Sequence, residues 1–145
     1  MHNNECFLKK IFEITRNIDM YTDRRIKEEN LPILKSHVLL FNTLPNGMEL
    51  VSFNEVLNKV KFSKSSLSEI ITKYETMGLL EKVNCKDDKR SIYIFLTEEG
   101  LKVKNKLDEI LSQVLENLLT NFNSSDENIM CEVINNIYSN SKKML

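Results

Sequence analysis

The sequence predicts a mainly helical α+β chain in which one small β-hairpin follows directly on a pair of short helices, with long helices at either end. Three observations predict it. Apolar residues recur at steps of three and four along most of the chain, the mark of amphipathic helices. Two of these stripes, Phe53–Val60 and Leu67–Tyr74, are separated by little more than "KFS", which is the outline of a helix-turn-helix. The segments "LLEKVNC" and "SIYIFL" then alternate as strands do, around the charged loop "KDDKR".

Composition sets the bounds. At 145 residues, with 41% apolar and 28% charged residues, the chain has the size and make-up of one ordinary globular domain. No apolar run reaches the roughly 18 residues of a membrane span. The start "MHNNECFLKKIFEI" lacks the basic, apolar and cleavage regions of a signal peptide. A soluble, cytoplasmic protein without a membrane partner is expected. Cys6, Cys85 and Cys131 show no CxxC spacing, which suits reduced thiols rather than a disulfide framework or a metal site.

The elements follow in order. Phe7, Ile11, Ile14, Ile18 and Tyr21 give a first helix over about residues 4–29. Pro32 fits the first turn of a second helix with a face of Leu34, Val38, Leu39 and Phe41, ending before "PNG". "SFNE" reads as a capping box of Ser52 with Glu55, and Phe53, Val56, Leu57 and Val60 form the stripe of a third helix. The fourth starts on the N-cap Ser63 and buries Leu67, Ile70, Ile71 and Tyr74. It ends at Gly78, the expected left-handed position.

After the hairpin, Thr97 caps a long fifth helix, with Glu98 and Glu99 in its dipole-favoured first turn. Its stripe, Leu107, Ile110, Leu111, Val114, Leu115, Leu118, Leu119 and Phe122, is wide for one helix and must be covered. Ser124 with Glu127 is a second capping-box candidate. It opens a last helix with the face Ile129, Met130, Val133, Ile134 and Ile137.

Charge is unevenly spread around a net of -1. Residues 59–90 hold eight bases and five acids, a net of +3, and the remainder holds 12 bases and 16 acids. The middle of the chain is where an anion would dock. Catalysis has little to work with. Gly47, Gly78 and Gly100 all have local roles in turns or helix ends, which leaves no phosphate-cradling loop. His37 reads as a helix-surface or packing residue rather than a base. No enzyme, cofactor or metal is expected.

On a wheel of 100° per residue, the fourth helix turns Ser65, Ser68, Glu69, Thr72 and Thr76 outward, flanked by Lys64 and Lys73. Short hydrogen-bonding side chains suit approach to base edges in a major groove. A two-stranded ribbon directly after a helix-turn-helix makes it a winged helix, with "KDDKR" at the wing tip. Arg90 is placed to enter a narrow minor groove, and Lys86 and Lys89 to reach phosphates. Asp88 is placed to hold the Arg90 guanidinium by a bidentate bond.

"SKSSLSEIITKYETMGLLEK", then "DDKRSIYIFLTEEG", resembles the MarR (multiple antibiotic resistance regulator) family of winged helix-turn-helix transcription factors. The likeness covers residues 31–100 in detail. It includes "LPILKSHVL" of the second helix, the Asp-x-Arg of Asp88 and Arg90, and the Leu-Thr-x-x-Gly of Leu96, Thr97 and Gly100.

The resemblance implies a single MarR-like domain over 1–145, with a DNA-binding region over 31–100 and dimerisation helices over 1–30 and 101–145. The implied function is a DNA-binding regulator, a repressor, which as a homodimer binds a pseudo-palindromic double-stranded operator. The implied recognition helix presents Ser63, Lys64, Ser65, Ser66, Ser68, Glu69, Thr72 and Lys73. The implied wing contacts are Lys86, Asp88, Lys89 and Arg90. The implied dimer interface holds Phe7, Ile11, Leu111, Leu115, Leu118, Ile134 and Ile137.

Two departures stand out. Glu69 occupies a position where the family often carries arginine, and Lys35 replaces a frequent glutamine. Two effectors stay open. "CFL" at Cys6 resembles the one-cysteine, peroxide-sensing branch, making Cys6 a redox sensor, although Met20 and Ile33 stand where that branch has its partner tyrosines. The other effector is a small aromatic or phenolic ligand between the dimerisation helices and the winged helix. From another class, a winged-helix module binding protein rather than DNA also fits the sequence.

Overall fold

The computed structural model describes residues 4–88 and 90–145. Its elements are α1 (Asn4–Glu28), a 3₁₀ turn (Lys35–His37), α2 (Val38–Thr43), β1 (Val51–Ser52), α3 (Phe53–Lys59), α4 (Lys64–Thr76), β2 (Leu80–Asn84), β3 (Ile92–Leu96), α5 (Glu98–Leu118) and α6 (Ser124–Lys142). They divide into two compact units, one running to Leu111 and one Ser112–Leu145. Among the described residues, no helix is long and apolar enough to cross a membrane.

In the larger unit α1 ends at Glu28 and the chain turns at Asn30, whose φ of 52° is a left-handed conformation that asparagine tolerates. Asn30 N donates to Lys27 O at 3.1 Å and Leu31 N to Ile26 O at 2.9 Å, a Schellman motif that satisfies the last carbonyls. α4 ends in the same way. Gly78, at φ 75°, donates to Glu75 O, and Leu79 N donates to Tyr74 O, both at 2.9 Å.

The second helix departs from expectation. It does not begin at Pro32, because Leu34 is extended (φ -89°, ψ 144°) and its N–H donates to the Tyr74 hydroxyl at 3.3 Å. That long-range bond holds the backbone away from helical geometry until Lys35. The buried residues are then His37, Leu40, Phe41 and Leu44. Leu34 and Leu39, expected on the core face, are 51% and 43% exposed.

The sheet has three strands in the order β1-β3-β2, all antiparallel neighbours. The hairpin register pairs Leu80 with Leu96 and Asn84 with Ile92. β1, which the sequence reading did not foresee, pairs Val51 with Ile94 and Ser52 with Tyr93. A strand of two residues is too short for alternation to be read. β3 is therefore central and places Ile94 and Leu96 in the core, while β2 is an edge whose residues after Leu80 are exposed.

The predicted Ser52 and Glu55 capping box is present on α3. Thr97 caps α5 by accepting from Gly100 N at 3.0 Å, and its hydroxyl also donates to Gly78 O at 2.6 Å. A Cβ built on Gly100 would lie 1.9 Å from Leu79 O. Glycine is needed there for close approach, and the contact fixes the start of α5 against the end of α4.

In the smaller unit two boundaries differ from expectation. α5 ends at Leu118, so Leu119 and Phe122 lie beyond it. The cap of α6 is Asn123, not Ser124: Asn123 is extended (φ -95°, ψ 171°), and its box partner is Asp126 rather than Glu127. Ser124 is already helical, so its hydroxyl cannot take the cap position. No residue of α6 is buried.

Candidate nucleic-acid interface

Amphipathicity orients α4. Leu67, Ile71 and Tyr74 are buried at 0–1% exposure, which leaves Lys64, Ser65, Ser68, Glu69, Thr72, Lys73 and Thr76 exposed on the opposite side, as the wheel predicts. Ser63 is also exposed and Ser66 half-buried. These two build the start of the helix: Ser63 Oγ accepts from Ser66 N at 3.1 Å and donates to Ser66 Oγ at 2.9 Å.

Tyr74 anchors the helix from behind. Its hydroxyl accepts from Leu34 N and lies 2.7 Å from His37 Nδ1. With one lone pair so engaged, the phenol proton is free to go to Nδ1, which then acts as acceptor on a neutral imidazole. Burial, followed by the positive charge of Lys73, holds His37 below its ordinary pKa, which favours the same neutral form. Burial pushes the Tyr74 phenol up, so it stays protonated. Phe41 meets the Tyr74 ring edge-on at 5.1 Å and Phe62 meets His37 at 5.7 Å.

A brace joins wing to helix. Lys82 on β2 pairs with Glu75 at 2.9 Å and donates to Thr72 Oγ1 at 3.2 Å. The sequence reading counted Lys82 only as one of several bases. Nothing local reveals the brace, because the partners become neighbours only when β2 folds back beside α4.

In the wing, Asp88 is near Arg90 but holds it differently than expected. Its Oδ1 accepts from the Arg90 backbone N–H at 2.9 Å and its Oδ2 from the Ser91 hydroxyl at 2.8 Å. Among the described residues no ion pair joins it to the guanidinium. A short aspartate side chain reaches its own backbone two residues on more readily than the end of a long arginine, the Asx-turn geometry. The Arg90 backbone N–H above all, and then the Ser91 hydroxyl, hold the Asp88 carboxyl below its ordinary pKa. The carboxylate orders the loop and leaves the Arg90 head unpaired by it. Lys86 is exposed, and Lys89 lies outside the described residues.

Arg90 and Lys64 line one cleft of about 220 Å³ between wing and helix, together with Ser68, Ser91, Ser52 and Asn54. Two cations over a concave polar surface focus a positive potential there, which draws anions from solution. Spacing alone puts Arg90 at the wing tip and Lys64 on the helix, and only the fold brings the two together. Ser52 and Asn54, which no sequence pattern marks as site residues, reach the cleft because β1 sets the start of α3 beside β3. On the helix itself a shallower groove is lined by Ser68, Glu69, Thr72, Lys73 and Thr76.

A second cleft of about 440 Å³ lies between α1 and α2, lined by Ile18, Thr22, Lys35, Val38, Asn42 and others, including Leu111. Thr22 is 4% exposed, and among the described residues its hydroxyl has no hydrogen-bond partner. Lys35 pairs with Asp19 at 2.7 Å across its rim.

The remaining candidates are dispersed. Cys6 is half-buried on α1, near the exposed Phe7, 55%, and the half-buried Ile11. Leu111 packs in part against the chain's own core. Leu115, Leu118, Ile134 and Ile137 are 43–59% exposed.

A model of the winged helix DNA-binding domain matches residues 35–100. The HTH-type transcriptional regulator SarZ of Staphylococcus haemolyticus is 25% identical over 121 residues, covering 80% of this chain and 76% of that protein. A MarR transcriptional regulator from Methanosarcina mazei superposes with a TM-score of 0.81 at 21% identity, over 98% of this chain and 100% of the other. A MarR family transcriptional regulator from Streptomyces coelicolor, solved in complex with DNA, gives 0.77 at 16% identity, over 94% and 86%. At these identities the solved structures establish a shared fold.

Proposed function

We infer that this chain is a winged-helix DNA-binding transcriptional regulator of the MarR type and that it acts as a homodimeric repressor, each subunit reading one half of a pseudo-palindromic operator. The observation that carries the DNA reading is the cleft shared by Lys64 and Arg90, beside a helix face of hydroxyls and lysine. α4 enters a major groove, the paired cations take the phosphate backbone next to it, and Arg90 extends toward the adjoining minor groove. The bare apolar faces of α6 and of the end of α5 support the homodimer, because a second copy would remove them from water.

Release follows from the cleft between α1 and α2. Its apolar patch of Ile18, Val38, Leu39 and Leu111 and the Thr22 hydroxyl, unpartnered among the described residues, suit a small aromatic or phenolic ligand that supplies the missing hydrogen bond. The DNA upstream of the protein's own coding sequence, labelled with a fluorophore, is titrated at several salt concentrations. Log affinity should fall against log salt with a slope of about -0.9 per neutralised phosphate. A flat response without sequence preference rejects the reading.

A further inference from the structure

α4 carries two acids, and they are treated differently. Glu75 is neutralised by Lys82 at 2.9 Å, whereas among the described residues no cation pairs with Glu69. The cations that could reach it are engaged elsewhere. Lys73, one turn on, holds its ammonium 5.6 Å from the Tyr74 ring centroid. Lys82 is taken by Glu75 and Thr72, and Lys64 and Arg90 line the separate cleft. An exposed, unneutralised carboxylate thus sits in the groove formed with Ser68, Thr72, Lys73 and Thr76.

We propose that Glu69 is a specificity residue that accepts a hydrogen bond from the exocyclic amino group of a cytosine in the major groove. This rests on the DNA-binding reading above. A carboxylate facing a polyanion lowers general affinity, so its contribution has to be discrimination. It can only accept, and the donors on the major-groove edge are cytosine N4 and adenine N6. Adenine sets its N7 acceptor beside that donor, which repels a carboxylate. Guanine offers two acceptors, and thymine an acceptor and a methyl group. Cytosine alone matches. Glu69 is also longer than the Ser65, Ser68 and Thr72 side chains around it, so it reaches a base edge first.

The test is selection of bound sequences from a random duplex library by the full-length protein and by Glu69→Ala and Glu69→Gln. The wild type should enrich a C·G pair at one position of each half-site. Glu69→Ala should lose that preference by about ten- to a hundredfold, leaving the other positions intact. Glu69→Gln should move it toward adenine, whose N6 and N7 an amide can bond together. Glu69→Ala that binds every sequence more tightly with an unchanged preference overturns the proposal while leaving DNA binding standing. No enrichment by the wild type overturns both.

Discussion

Helices α4 and α6 carry the same kind of sequence pattern, an apolar stripe at three- and four-residue steps behind a capped start, and they end in opposite environments. α4 buries Leu67, Ile71 and Tyr74 under its own chain. α6 buries nothing, and Ile129, Val133, Ile134 and Ile137 are 43–59% exposed. An amphipathic stripe states that a face must be covered but not by which chain. In α4 the covered face fixes which side stays polar and exposed; in α6 the apolar face itself is left exposed.

Substitutions can break this contrast. Leu67→Ala removes a fully buried side chain and should cost about 2–5 kcal/mol of folding stability, read by denaturant unfolding. Ile134→Asp combined with Ile137→Asp should leave the unfolding of the winged helix nearly unchanged but raise the dimer dissociation constant by about two orders of magnitude or more, since each buried isoleucine is worth roughly 1.5–3 kcal/mol. Sedimentation velocity across a dilution series reads it. A double variant that self-associates as the wild type does would remove α6 from the interface.

Within the DNA-facing side the expected effects are smaller. Arg90→Ala should weaken operator binding about tenfold to a hundredfold. Asp88→Ala should weaken it less. Because Asp88 acts through the backbone at Arg90, its effect should shrink when Arg90 is already alanine, and a double-mutant cycle on binding affinity separates this from strict additivity.

The smallest effect is the pH response of the buried pair behind α4. His37 has its pKa lowered from 6.5 in the fold, so the unfolded chain takes up the proton first. Its contribution is therefore present above about pH 6.5 and lost as pH falls through the folded pKa. The groups facing the ring are Tyr74, Phe62 and the charge of Lys73. Unfolding free energy should drop between pH 7.5 and 5.5, and His37→Gln should flatten that drop. An equal drop in the variant assigns the response to other groups.

Much of this was legible in the chain. Helix stripes, the Ser52 and Ser63 caps, the stop at Gly78 and the hairpin depend on neighbours within a few residues, so spacing alone reveals them. The outward face of α4 was legible for the same reason. What was misread depended on distant partners. Leu34 is held extended by Tyr74, forty positions on, so the second helix starts late. β1 is a strand only because β3 lies beside it. Asp88 was rightly placed next to Arg90 but assigned the wrong atom, because residue adjacency does not say whether a carboxylate turns to the side chain or the backbone.

The sequence by itself determined which residues make helices, where most of them are capped, and that a short-chained polar helix precedes a charged wing, because each is a periodic or short-range property. Only the tertiary structure decided that Lys64 and Arg90 share one cleft, and that, among the described residues, Lys82 neutralises Glu75 while no cation pairs with Glu69 and the Thr22 hydroxyl beside a cavity has no partner. These are pairings between elements, and the physics that selects them is packing and desolvation across the fold, which linear spacing does not encode.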